Sequence, residues 1–329
     1  MELTEIGVLL VKPEANYGVD PTPAAADVVP TIGDSLSWSF DADAVKRRPI
    51  YDGARDPLAG YSSLPNVTLK FTYELRGNAL IMNGVIGNKI EIDALLLAAD
   101  LAATYTAEVT PPNSNDGYVI YKPANPTAEG ASVTCSWYTG LKLHKLTGGK
   151  VDVDIVCEAG KMAVINFTVR GKYVATSDAS VPGSITGIDI KPPSFENATV
   201  TFGSYTGLVV SRVEFALGNS IVLRPDALTA DGVKGFVIGS VSPTFSLQFE
   251  SGTIATQPAF ADWRAATINS LVVPVGATAG NKFTGTFATQ VEKVGYGNDG
   301  GRRITELSGS IVRANYGTTA GNHFQLKFA

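Results

Sequence analysis

Along several short stretches of the chain, apolar and polar residues alternate one for one. Leu36, Trp38 and Phe40 are separated by Ser37 and Ser39, and Val67, Leu69, Phe71 and Tyr73 by Thr68, Lys70 and Thr72. A period of two is that of a strand with one covered face. A long polar segment through Arg48, Pro49, Asp52 and Gly53 connects these two stretches. The same passage recurs later. Val213, Phe215 and Leu217 lead through Arg224, Pro225, Asp231 and Gly232 to Phe245, Leu247 and Phe249. Pro65 and Pro243 each stand two positions before the second strand, so the passages match in order and in punctuation. A repeat of this length predicts two copies of one supersecondary unit.

The parallel continues downstream. Residues 91–103 carry Ile92, Leu95, Leu96 and Ala99 at helical spacing, and 258–271 fill the same slot, with Pro258 at a helix start and Phe260, Trp263 and Ile268 as a buried stripe. Each half then closes on two strands: 151–155 with 165–169, and 306–312 with 324–328. Gly149, Gly160, Gly300, Gly301 and Gly317 mark the turns. A Pro-, Ser- and Gly-rich linker over 176–193 separates a first module, 1–178, from a second, 179–329. The predicted fold is mainly β: two tandem sandwich or half-barrel modules, each with one flanking helix and a long loop between strands.

The alternation also defines a polar face. It carries Ser37, Ser39, Asp41, Thr68, Lys70, Thr72, Glu74, Asp152, Asp154, Asn166 and Thr168 in the first copy. Glu214, Ser246, Gln248, Glu250, Glu306, Ser308, Gln325 and Lys327 take the equivalent phase in the second. Acidic groups outnumber basic ones on this inferred face. The bland reading is a solvated sheet face. A sheet must also manage its edges, however, and closure into a barrel with neighbouring subunits is the complete solution.

Composition supports this picture and narrows the chemistry. At 329 residues the chain can bury two cores, and only 17% of it is charged. The net charge of −5 argues against a surface built to neutralise phosphates. The one basic cluster, Lys46, Arg47 and Arg48, reads as a solvated loop with a contact role. The opening segment is too acidic, and its apolar run too brief, for a signal peptide, so synthesis in a bacterial-type cytoplasm is the expectation. Cys135 and Cys157 are expected to be buried thiols.

No catalytic constellation assembles from the residues. His144 and His323 fall in different modules without metal-ligand spacing, and strand packing or a surface position is expected for both. Thr147, Gly148, Gly149 and Lys150 lack the first glycine and the magnesium-binding hydroxyl of a phosphate loop, which leaves a hairpin turn. Gly203 to Gly207 and Asn298 to Gly301 likewise read as turns. Asp152 and Asp154 share a strand face, where a charge pair is favoured over a catalytic dyad. No cofactor or metal is called for, and the chain reads as non-enzymatic.

The opening, with Lys12, Glu14, Tyr17, Gly18, Asp20 and Pro23, resembles the start of the tail tube (major tail) proteins of phages with long non-contractile tails. The order strand, long loop, strand, helix, paired strands over residues 1–175 is similar to that family too. The resemblance implies a virion protein made in the host cytoplasm, whose inner sheets join in six-membered rings into one closed barrel. Its partners would be copies of itself, the tape-measure protein, the tail terminator and tip proteins, and DNA passing through unbound. No membrane is involved. The polar-face residues would line the lumen, and the loop 45–64, with Lys46, Arg47, Arg48, Tyr51, Asp52, Arg55, Asp56 and Tyr61, would stack rings. Because this chain carries a second module, three chains would complete a ring of pseudo-sixfold symmetry if both modules line the tube. Six would be needed if the second module decorates the outside. The different-class alternative is a secreted or surface carbohydrate-binding β-sandwich, which would show a signal peptide and an exposed aromatic platform. Trp38, Trp137 and Trp263 instead read as scattered core positions.

Overall fold

A computed structural model of the chain describes residues 7–47, 58–77, 90–106, 117–124, 129–185, 190–313 and 323–329. The first half contributes β1 (Val8–Pro13), β2 (Ser37–Arg47), β3 (Leu58–Glu74), α1 (Asp93–Ala98), β4 (Leu101–Thr106), β5 (Tyr118–Pro123), β6 (Val133–Tyr138), β7 (Lys142–Glu158) and β8 (Val164–Asp178). The second contributes β9 (Thr201–Phe202), β10 (Val210–Ala216), β11 (Asn219–Pro225), β12 (Val233–Val241), β13 (Thr244–Glu250), α2 (Ala259–Ala265), β14 (Ile268–Val275), β15 (Phe283–Asp299), β16 (Arg302–Ile311) and β17 (Phe324–Phe328). The protein is mainly β, as the alternation predicts, and its paired strands are antiparallel.

The central feature is a run of eight strands in the order β2-β3-β8-β7-β10-β13-β16-β15. Four come from each half, and the second four repeat the order of the first: a hairpin pair, then the last strand of a closing pair, then its partner. The halves meet where β7 pairs with β10, Glu158 opposite Arg212 through to Asp154 opposite Ala216.

Both β7 and β15 are 17 residues long and serve two sheets. The first part of β7 pairs with β6, and β6 with β1. The first part of β15 pairs with β14 on one side and β17 on the other. These outer strands close over the apolar side of the run. Val67, Leu69, Phe71, Val153, Ile155, Phe167 and Val169 are buried, together with Val213, Phe215, Phe245, Leu247, Phe249 and Leu307, in one core shared with Leu9, Val11 and Cys135. A second link between the halves lies in the outer layer, where β5 pairs with β17.

Several expectations are corrected here. The second closing pair is β15 with β16, not 306–312 with 324–328; β17 pairs with β15 and β5 instead. Both helices are shorter than predicted. Asp100 (φ 57°) and Ala266 (φ 51°) adopt the left-handed conformation that ends a helix, and β4 and β14 begin within two residues. Phe260, Trp263 and Ile268 are exposed rather than buried. The long loop 45–64 is partly strand, since β2 runs on to Arg47 and β3 starts at Leu58. Its counterpart in the second half is the hairpin β11-β12. Thr147 to Lys150 is no turn but a bulge inside β7, with Gly148 at φ +63°. Asn298 to Gly301, by contrast, is the tight turn that the sequence predicts, with Gly300 and Gly301 both at positive φ between the paired Asp299 and Arg302.

A polar sheet face bounded by two open edges

The eight strands share one face that the core does not cover, and the register sets its residues in rows. One row runs Thr72, Asn166, Asp154, Ala216, Thr244, Ser310. A second runs Glu74, Val164, Val156, Glu214, Ser246, Ser308, Lys293. A third joins Glu158, Arg212, Gln248 and Glu306, and a fourth joins Ser37, Lys70, Thr168 and Asp152. Ser39 lies opposite Thr68, Asp41 opposite Asn66 and Glu250 opposite Ile304. The face therefore continues across the β7-β10 seam without a change of phase.

Gln325 and Lys327 are not in this run. They lie on β17, beside the first part of β15, and the Lys327 ammonium sits 4.0 Å from the centre of the Tyr118 ring. Of the residues assigned to the long loop, Lys46, Arg47 and Tyr61 lie on the exposed ends of β2 and β3. Arg48, Tyr51, Asp52, Arg55 and Asp56 lie outside the described residues.

The face carries more positive charge than the alternation suggested. Arg170 and Lys172 continue it on β8, Arg212 opens it on β10, and Lys293 adds to it on β15. Extending each alternating stretch by three residues would have found the first three. Arg212 pairs with Glu214 and stands opposite Glu158. The Arg170 guanidinium donates to the Ile221 carbonyl at 3.2 Å and lies over the Phe236 ring. Acidic groups remain in excess. They cluster at the seam, where burial first, then the charges of Asp152 and Glu214, push the Asp154 carboxyl above its ordinary range. Asp152 also holds the backbone in place, since its Oδ1 accepts the Asn219 N–H at 2.8 Å and fixes the start of the β11-β12 hairpin. Thr72 donates to Asn166 Oδ1 at 2.8 Å across β3 and β8.

The opening segment folds into a clasp. Glu14 accepts four hydrogen bonds, from the Gly18 and Gly148 N–H groups and the Ser132 and Thr134 hydroxyls, at 2.6 to 2.7 Å. The Tyr17 hydroxyl accepts the Phe236 N–H and reaches the carbonyls of Gly148 and Phe236 at 3.1 and 3.0 Å. Lys12 pairs with Asp27, and Asp20 with Lys145. This segment thus ties β1, β6 and the β7 bulge to the β11-β12 hairpin of the other half.

Both cysteines are buried and free, and burial pushes the Cys157 thiol up to about 12. His144 packs within an aromatic cluster with Trp38, Trp137 and Phe40. Trp38 and Trp137 are therefore not scattered, since their rings stack 5.9 Å apart, and Phe40 extends the cluster to Tyr173. Among the described residues no group of three His, Cys, Asp or Glu side chains could hold a metal ion, and no helix is long and apolar enough to cross a membrane.

An antiparallel sheet with a covered side, a polar side and a strand edge at each end of the run defines a β-structural protein whose edges can accept a further strand. A family model described as phage tail tube protein matches residues 4–315, and the chain belongs to that family. It is a structural component of the virion tail and assembles with itself into tubes. No curated protein sequence matches it.

Proposed function

We propose that three copies of this chain close into a ring of pseudo-sixfold symmetry, and that stacked rings form the tube through which phage DNA leaves the particle. The observation that carries this reading is the β7-β10 seam, which joins four strands of one half to four of the other with one continuous polar face. Both modules, 1–178 and 179–329, then line the tube.

Size supports the need for several copies. A closed barrel of about eight strands has an interior that its own side chains fill, and about sixteen to eighteen are needed for an aqueous channel. Three copies supply about twenty-four. With strands about 4.8 Å apart and tilted by about 40°, that ring is roughly 50 Å across between backbones, enough for a duplex to pass. The mixed, mildly acidic face would repel phosphates on balance and offer few places to hold them. The projecting ends of β2 and β3, with Lys46, Arg47 and Tyr61, would contact the next ring. The tape-measure protein within the lumen, and terminator and tip proteins at the ends, would complete the tail.

Electron microscopy of the purified chain at high concentration, with ring mass measured by light scattering, tests this directly. Hollow tubes of three-chain rings support it. Six chains per ring would place the second module outside, and a glycan-binding monomer would replace the tube reading with a surface-binding one.

A further inference from the structure

The two open edges of the eight-strand run are the exposed counterparts of a seam the chain has already built. With Pro65 and Pro243 aligned, the register makes β2 the counterpart of β10, and β15 that of β7. Phe215 on β10 is 3% exposed, with β7 beside it and the Phe287 and Phe324 rings over it; Phe40, in the same place on β2, is 50% exposed. At the other edge Val153 on β7 is 1% exposed and its counterpart Tyr296 on β15 is 56% exposed. Phe260 of α2 packs against Tyr296 and is itself 44% exposed. Apolar side chains thus flank both free edges at the positions that are buried inside the chain.

We infer that β2 of one copy pairs antiparallel with the second part of β15 of another, in the register of the β7-β10 seam, so that Phe40 and Tyr296 are buried between copies. This rests on the tube reading and names the edges, the register and the partner: a second copy of this chain. Among the described residues β2 pairs only with β3, and the last six residues of β15 only with β16, so both edges hold free backbone donors and acceptors. In the internal seam Glu214 faces Val156, and Ala216 faces Asp154. The Leu217 N–H donates to Val153 and the Ala159 N–H to Ser211. The pairs between these two points are therefore alternately bonded, and Glu214 with Val156 is a close, non-hydrogen-bonded pair. Transferred to the open edges, that pair becomes Ser39 facing the second copy's equivalent of Asp299.

The test is a chain carrying both S39C and D299C, assembled under reducing conditions and then oxidised. Opposed residues of a non-hydrogen-bonded pair lie about 4.5 Å apart at Cα, within disulfide reach. Cys135 and Cys157 are buried and do not compete. Non-reducing denaturing gels are expected to show a ladder of linked chains from assembled tubes and none from either single variant. A companion variant, F40S, is expected to keep the melting temperature of the monomer within a few degrees and to raise the concentration needed for assembly at least tenfold. Tubes that form without the cross-link, or an F40S chain that assembles normally, overturn this junction and leave the tube reading standing. A wild-type chain that never assembles counts against the tube reading itself.

Discussion

Glu14 commits both carboxylate oxygens to four donors from three separate stretches of chain, and Tyr17 reaches past it to the backbone of Phe236. Buried hydrogen bonds contribute about 1 kcal/mol each, somewhat more when charged. Tyr17→Phe is therefore expected to destabilise the chain by about 1 to 2 kcal/mol, read by urea unfolding, and to speed amide exchange in β11 and β12. Lys150 is a sharper case. It is fully buried, donates to the Ala131 carbonyl at 2.8 Å and pairs with Asp100 at 3.3 Å. Lys150→Met leaves the Asp100 carboxylate without its partner and should cost about 3 kcal/mol or more by the same measurement.

Asp154 gives the pH dependence. Its carboxyl holds a proton above the ordinary value of 3.8 because burial and two neighbouring carboxylates oppose its charge. The folded chain thus binds a proton that the unfolded chain has already released, and stability falls as pH rises through the interval just above 3.8. Asp154→Asn should flatten that fall, seen in unfolding midpoints followed as pH rises from 3.8.

At the scale of elements, strands whose covered positions hold large apolar side chains are legible in the sequence, since period two is visible in β2, β3, β7, β8, β10, β13 and β16. β15 is not. Its covered positions include Gly285, whose missing side chain is replaced by the ring of Phe287 lying over it, so the pattern is silent where the packing is dense. The sequence overstates the helices because alanine and leucine continue the helical spacing past Asp100, while the backbone there turns left-handed. That conformation gives a prediction. Ala266 ends α2 at φ 51°, which costs a Cβ-bearing residue about 1 kcal/mol. Ala266→Gly should raise the unfolding free energy by up to about that amount, less the entropy glycine adds to the unfolded chain. The polar face is legible to the extent that strand ends are, which is why Arg170 and Arg212, each just beyond an alternating stretch, do not stand out in the sequence.

For the whole molecule, the face and its two edges matter more than any single residue. Glu250 is exposed and Glu306 partly so, while Asp152 anchors the β11-β12 hairpin, which makes the two glutamates better probes of the proposed lumen face than Asp152. Particles built with Glu250→Lys and Glu306→Lys are expected to assemble tails of normal length and to release DNA more slowly, most clearly at low salt. Unchanged ejection kinetics would count against an electrostatic role for this face.

The β7-β10 seam has one more consequence. Because its two sides belong to one polypeptide, it forms during folding and does not depend on how much protein the cell contains. In the proposed ring only the remaining seams are bimolecular and must offset the loss of translational and rotational freedom, about 4 to 15 kcal/mol per association. A ring made from tethered pairs needs fewer collisions than one made from single units, so its nucleation should depend less steeply on concentration. The tethered joint is also free of the demand that the joint between chains match it. Substitutions can then accumulate in one half without being copied to the other, and the β4-β5 arm, which pairs with β17 and has no second copy among the described residues, is such a difference between the halves.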